Sequence, residues 1–344
     1  MRHFDYARAD SAEAAVQAHG SRDAASGAGY QAGGAAYLAG GTTLLDLVKL
    51  DVMQPDKVVD INGVALDEIE RLDDGRLRIG AMVSNTALAR DQRVIADYAV
   101  LSQALLAGAS TQLRNKATTG GNVMQRVRCP YFRDGVSDCN KREPGSGCAA
   151  IGGVNRSVHA VLGTSENCIA THPSDMCVAM AAIGATVEVE GPEGQREIDF
   201  ADFHLLPGET PAQEHALKPG ELITHVVLDA PMENARSSYL KLRDRQSYQF
   251  ALASSAVIVT LDGNTIRKAR VALGGVGTKP WRAPEVEAAL EGQAASEALF
   301  TAAARQAFTH ATAYAHNAYK IPLGQQAIVR NLVDLTESVD PTAA

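Results

Sequence analysis

Leu38-Ala39-Gly40-Gly41-Thr42-Thr43-Leu44 runs from a brief apolar strand, through a glycine pair, into helical spacing from 44 to 50. Glycines permit positive φ and let a backbone approach a ligand closely. Consecutive main-chain N–H groups in such a turn form an anion nest, and a following helix adds a positive dipole. A second turn of the same kind, Ala117-Thr118-Thr119-Gly120-Gly121-Asn122, offers hydroxyls and an amide beside its glycines. Neither fits the G-x-G-x-x-G of a dinucleotide fold or the G-x-x-x-x-G-K-[ST] of a P-loop. Gly274-Gly275-Val276-Gly277-Thr278-Lys279 meets Pro280 where a P-loop needs a helix, and reads as a structural turn.

Working outward, 4–7 reads as a strand and Ser11 as the N-cap of a helix. Residues 21–35, small and glycine-rich, read as a surface loop. Strands are expected at 58–61 and 76–80, a helix-rich stretch at 84–109, a helix at 176–183, and strands at 186–190 and 222–228. A boundary is placed near Pro231. Beyond it come strands at 238–242, 256–261 and 266–273 and helices at 284–291, 296–318 and 325–335, an α+β tail domain.

The 344 residues are 46% hydrophobic and 21% charged, an ordinary globular composition, and carry a formal net charge of -8. An acidic chain is a poor partner for a phosphate backbone, so nucleic acid is not expected. No run of eighteen apolar residues is present, which argues against membrane insertion. The N-terminus lacks the apolar region of a secretory signal, so a cytoplasmic location is expected; co-export to the periplasm with a signal-bearing partner would leave the same N-terminus.

Four of the five cysteines, Cys129, Cys139, Cys148 and Cys168, lie in the aperiodic stretch 124–171 with spacing C-x9-C-x8-C-x19-C. An odd number of cysteines without a signal argues against a disulfide framework. So long a loop needs something to order it. Structural zinc usually comes with close C-x2-4-C pairs, absent here. Widely spaced thiolates suit a cluster wrapped by a loop, four being the usual complement of [4Fe–4S]. On spacing alone, iron–sulfur, zinc and unligated thiols all stay open. Arg126, Arg128, Lys141 and Arg142 are placed to offset thiolate charge. Cys177 reads as a buried small residue, and His159 and His172 as neighbours whose ligand role four thiolates would make surplus.

Both glycine turns, together with Pro173-Ser174-Asp175-Met176, Tyr239-Leu240-Lys241-Leu242-Arg243, Gly274-Gly275-Val276 and Lys279-Pro280-Trp281-Arg282, occur in an order that resembles the FAD-binding (medium) subunits of the xanthine dehydrogenase, or molybdenum hydroxylase, family. The resemblance runs from about residue 4 to 335. It implies a two-part FAD-binding domain of the vanillyl-alcohol-oxidase/PCMH type over 1–230, with subdomains at about 1–60 and 61–230. A C-terminal α+β domain like that of the CO dehydrogenase flavoprotein would follow over 231–344. The pyrophosphate of FAD would lie between Tyr37, Leu38, Ala39, Gly40, Gly41, Thr42, Thr43 and Leu44 on one side and Thr118, Gly120, Gly121 and Asn122 on the other. Gly108, Asp175, Ile223 and Lys241 would contact the cofactor, Lys241 near its isoalloxazine ring, and His172 is a candidate for the same pocket. Trp281 and Arg282 are expected to be structural or subunit contacts.

The cysteine stretch resembles the insertion of the aldehyde oxidoreductase type of FAD subunit, which binds [4Fe–4S]; 4-hydroxybenzoyl-CoA reductases have a comparable one. Arg128-Cys129-Pro130-Tyr131-Phe132, Cys139-Asn140-Lys141-Arg142 and Gly147-Cys148-Ala149-Ala150 carry that likeness. It implies an oxidoreductase subunit that moves electrons, partnered by a molybdenum-cofactor large subunit and a small subunit with two [2Fe–2S] clusters, as a heterotrimer or a dimer of heterotrimers. No nucleophile–base pair, catalytic carboxylate pair or substrate-activating metal motif is found in the chain itself, so no catalytic residue is assigned. Two other readings stand beside this one: a stand-alone flavin dehydrogenase, and a zinc-stapled binding protein without enzymatic activity.

Overall fold

A computed structural model describes residues 2–20 and 34–337; most of the loop expected at 21–35 lies outside the described residues. Three sheets organise the chain. The first is parallel, with Lys57–Asp60 between Asp5–Arg8 and Ala35–Leu38. Helix Ala12–His19 covers it, capped by Ser11, whose hydroxyl accepts from the Ala14 amide at 3.1 Å.

The second sheet is antiparallel, in the order Ile69–Arg71, Leu77–Gly80, Leu222–Leu228, Ala185–Gly191, Gly194–Asp199. Alternation holds in Ala185–Gly191, whose Val187 and Val189 point into the core. Leu222–Leu228, the central strand, is buried at six of its seven positions, because Leu222 packs into the core of the first sheet and Ile223, Val226 and Leu228 into that of the second. Against this sheet pack Asn85–Arg90, Gln92–Asp97, Ala99–Ala107 and Asp175–Ile183. The helix-rich stretch 84–109 is thus three helices. Asp91 ends the first in extended backbone and caps the next by accepting from the Arg93 amide.

The third sheet is antiparallel, ordered Trp281–Arg282, Thr265–Gly274, Ala253–Asp262, Arg236–Leu242. Helices Pro284–Leu290, Glu297–Gln306 and Lys320–Glu337 share its core. Two helix boundaries differ from expectation. The Ala-rich helix stops at Gln306, well short of 318, and the chain beyond it is drawn to the cysteine insertion by Thr312 N–H donating to the Val161 carbonyl at 2.8 Å. The last helix begins at Lys320, upstream of 325, because Pro322 falls in its first turn, where no intrahelical N–H is needed.

The insertion has little regular structure: helices Pro130–Arg133 and Ala149–Gly152, each starting directly after a cysteine. Its exit zips onto the third sheet, with Val161 and Leu162 N–H bonded to the Val276 carbonyl and His172 N–H to that of Gly277. Gly274-Gly275-Val276-Gly277 is therefore a structural turn that receives the insertion. None of the described helices is long and apolar enough to cross a membrane.

Candidate flavin cradle and cysteine centre

The two glycine turns meet. A Cβ on Gly40 would stand 1.8 Å from the Lys116 carbonyl oxygen, so only glycine lets the first turn lie against the backbone entering the second. Gly41 has φ +75°, in the left-handed region. Asn62 Nδ2 fastens the first turn by donating to the Ala39 carbonyl at 3.0 Å. Tyr37 hydroxyl donates to the Gly220 carbonyl at 2.8 Å, tying the first sheet to the second. The main-chain N–H groups of Gly40, Gly41, Thr42 and Thr43 donate to no described backbone carbonyl, as a cradle for an anionic group requires. The helix after this turn, Leu44–Lys49, is only six residues long, so the nest rather than a long helix dipole supplies the field.

The second turn is a short helix, Thr119–Val123, capped by Thr118, whose hydroxyl accepts from the Gly121 amide at 3.2 Å. Thr119 and Gly120 N–H donate to the carbonyls of Val83 and Ala81, and Ala81 N–H donates in turn to Thr224, next to Ile223. Asn122 Oδ1 accepts from the Ser174 hydroxyl at 2.8 Å. Ser174, not Asp175, caps helix Asp175–Ile183.

Asp175 is buried and doubly engaged. Its Oδ1 accepts from the Tyr239 hydroxyl at 2.6 Å and its Oδ2 from Lys241 Nζ at 2.7 Å. A Cβ on Gly108 would lie 3.3 Å from Oδ2. Lys241 also donates to the Ala107 carbonyl, which Arg243 reaches at 2.8 Å. Gly108, Asp175 and Lys241 are thus brought together. Burial, with the Asp175 charge, pushes the Tyr239 phenol well up, so it stays a donor. No local signal marks Tyr239 as a site residue, although it stands two residues before Lys241 on the same strand.

The four cysteines line one small cavity, together with Phe132, Lys141 and Ile169. Cys129, Cys139 and Cys168 are buried and Cys148 partly so; none is in a disulfide. Cys139 and Cys148 face each other in a local bridge, as do Ser165 and Cys168. Burial pushes the Cys129 thiol up to about 12 and raises Cys139 and Cys168 as well, each further raised by the charge of neighbouring cysteines. Four thiolates lining one cavity would need a cationic centre to hold them. Main-chain N–H groups of Tyr131 and Phe132 favour the charged form of Cys129, and that of Ala170 does so for Cys168. The donor set fits an iron–sulfur cluster.

The flanking cations are largely engaged elsewhere. Arg126 and Lys141 pair with Glu214, Arg128 and Arg133 with Asp46, and Arg142 binds the carbonyls of Tyr131, Phe132 and Ser137. Across space, Lys141 favours the charged form of Cys168 and Arg142 that of Cys139. Arg142 acts mainly as a staple of the loop. Helix Leu44–Lys49 links the two sites: the first glycine turn enters it, while Leu47 and Val48 pack in the same core as Cys129, Cys139 and Cys168.

Residues 2–231 match the description "FAD binding domain in molybdopterin dehydrogenase", and residues 238–334 match "CO dehydrogenase flavoprotein C-terminal domain". The chain belongs to the FAD-binding molybdopterin dehydrogenase family. A relative from Escherichia coli, the aldehyde oxidoreductase FAD-binding subunit PaoB, is 53% identical over 85% of this chain and 89% of its own. The glyceraldehyde dehydrogenase medium chain of Sulfolobus acidocaldarius is 25% identical over 71% of this chain and 69% of its own. In fold, carbon monoxide dehydrogenase from Hydrogenophaga pseudoflava superposes with TM-score 0.74 over 98% of each chain at 24% identity.

As a member of this family the chain is an α+β, FAD-binding subunit of an oxidoreductase. Two further polar groups lie near its cysteine centre. Glu214, remote in sequence and without a motif, joins Arg126 and Lys141; burial alone would raise its carboxyl, but the two cations hold it down to about 2. His172, Cys177 and His204 place ligand-type atoms within 4.8 Å of one another, all buried. The Ser174 amide is directed at His172 Nδ1, at 3.4 Å, which leaves the ring proton on Nε2. That ring then offers no free lone pair, and the group reads as packed core polar residues rather than a metal centre.

Proposed function

We propose that the chain is the FAD- and [4Fe–4S]-carrying electron-transfer subunit of a molybdenum-cofactor oxidoreductase acting on aldehydes or N-heterocycles. It would take electrons from the [2Fe–2S] clusters of a small partner subunit and deliver them to an external acceptor, with substrate oxidised in a large molybdenum subunit. The convergence of Cys129, Cys139, Cys148 and Cys168 on one cavity carries this reading. The identity to an aldehyde oxidoreductase FAD-binding subunit favours the aldehyde.

FAD, when bound, supplies the redox chemistry and the protein holds and tunes it. Residues 37–44, with Thr118, Gly120, Gly121 and Asn122, would hold the pyrophosphate through main-chain N–H groups and hydroxyls. Gly108, Asp175, Ile223 and Lys241 would line the ring end. Lys241, held by Asp175 and the Ala107 carbonyl, would offer the ring end a fixed N–H donor. We place the FAD domain at 1–230, its insertion at 124–171 and the C-terminal domain at 231–344. Electron paramagnetic resonance on the dithionite-reduced chain tests the cysteine assignment. Cys129→Ser should remove the [4Fe–4S] signal and Cys177→Ser should leave it; retention of the full signal in Cys129→Ser contradicts the proposal.

A further inference from the structure

His159 is 1% exposed, and its Nε2 lies 3.2 Å from the Cys129 sulfur. The other ring nitrogen settles where the proton is. Nδ1 stands 3.0 Å from the Arg156 main-chain nitrogen, which can only donate. Nδ1 is therefore a lone pair, and in the neutral ring the proton sits on Nε2, directed at the sulfur. Backbone bonds hold the ring in place: His159 N–H donates to Arg156, and Asn317 Nδ2 donates to the Ala160 carbonyl at 3.0 Å. Among the described residues, His159 supplies the side-chain hydrogen bond to one of the four sulfurs.

We propose that His159 is a positioning residue for the cysteine centre, donating an Nε2–H···S hydrogen bond to Cys129 and thereby raising the reduction potential of the cluster bound there. The inference rests on the iron–sulfur reading above. Reduction by one electron increases negative charge on the cluster and its thiolates. A donor aimed at a sulfur stabilises the reduced form more than the oxidised one, and such bonds are among the levers that set cluster potentials. The main-chain donors at Cys129 persist whatever side chain occupies 159, so the imidazole contribution is separable by substitution.

The test is a redox titration of the full-length chain purified without oxygen, followed by electron paramagnetic resonance. Wild-type iron and sulfide are measured first; their absence defeats the iron–sulfur reading itself and this inference with it. With the cluster present, His159→Phe keeps a ring and removes the donor. It should lower the reduced-to-oxidised ratio at fixed poise by about tenfold, about 59 mV for one electron. His159→Gln, whose amide can donate, should recover part of that shift. An unchanged potential in His159→Phe, or equal shifts in both variants, overturns the proposal.

Should His159→Phe fail to retain iron, wild-type protein labelled with 15N-histidine decides by electron–nuclear double resonance. A weak nitrogen coupling together with an exchangeable proton supports the donor. A strong coupling, which marks a direct ligand, or no coupling at all, overturns it.

Discussion

Asp175 Oδ2 and Lys241 Nζ form an ion pair of 2.7 Å with side chains only 9% and 3% exposed, where the helix Asp175–Ile183 meets the third sheet. Breaking one partner of a buried pair costs about 3–5 kcal/mol, since the other charge is left uncompensated. Lys241→Met should therefore lower the thermal midpoint strongly. Asp175→Asn combined with Lys241→Met should cost less than the sum of the single changes, and strict additivity in that double-mutant cycle would argue against coupling.

Gly40→Ala forces a methyl group into the Lys116 carbonyl and should separate the two glycine turns. The expected outcome is loss of bound FAD, read by the absorbance of released flavin. Gly152→Ala, where the added carbon meets nothing within 4 Å, is the control and should keep it.

Much of this fold was legible because glycine turns and β-alternation are local signals. Gly40, Gly41 and Asp175 stood out in the sequence because short motifs surround them. What stayed hidden depends on distant partners. Glu214 meets Arg126 and Lys141 from 88 and 73 residues away, with no motif around it. Ala-rich spacing continues past Gln306, whereas the chain there passes into turns closed by Phe308 N–H on Arg305 and Thr309 N–H on Gln306 before Thr312 reaches Val161. His159 looked surplus as a ligand, since only the structure shows that its second nitrogen is occupied by Arg156.

Glu214 gives a pH dependence with a defined sign. Its folded-state carboxyl titrates at about 2, below its ordinary 4.5, so the unfolded chain binds the proton first as pH falls. The stabilisation is fully present above pH 4.5 and is lost progressively toward pH 2. Urea midpoints of wild type and Glu214→Gln should differ by a constant amount from pH 7 down to about 5 and converge below that. A gap that widens on acidification contradicts the ion cluster.

Asn317 is fully buried, its Nδ2 bonded to the Ala160 carbonyl and its Oδ1 accepting from the Tyr314 amide at 2.7 Å. Asn317→Ala leaves both groups unpaired, at a cost of about 1–3 kcal/mol each. Hydrogen exchange should quicken over 155–162 and 312–317 while the first sheet is unaffected. Uniform quickening across the chain would show that this clamp on the insertion is not local.

The central claim is that four cysteines hold an iron–sulfur cluster in a chain that also binds FAD. Chemical quantification of iron, labile sulfide and FAD on protein purified without oxygen tests it most directly. The account predicts four iron and four sulfide per chain with one FAD, and iron and sulfide that fall together in Cys168→Ser. Zinc in place of iron, or full FAD with neither iron nor sulfide, would contradict it.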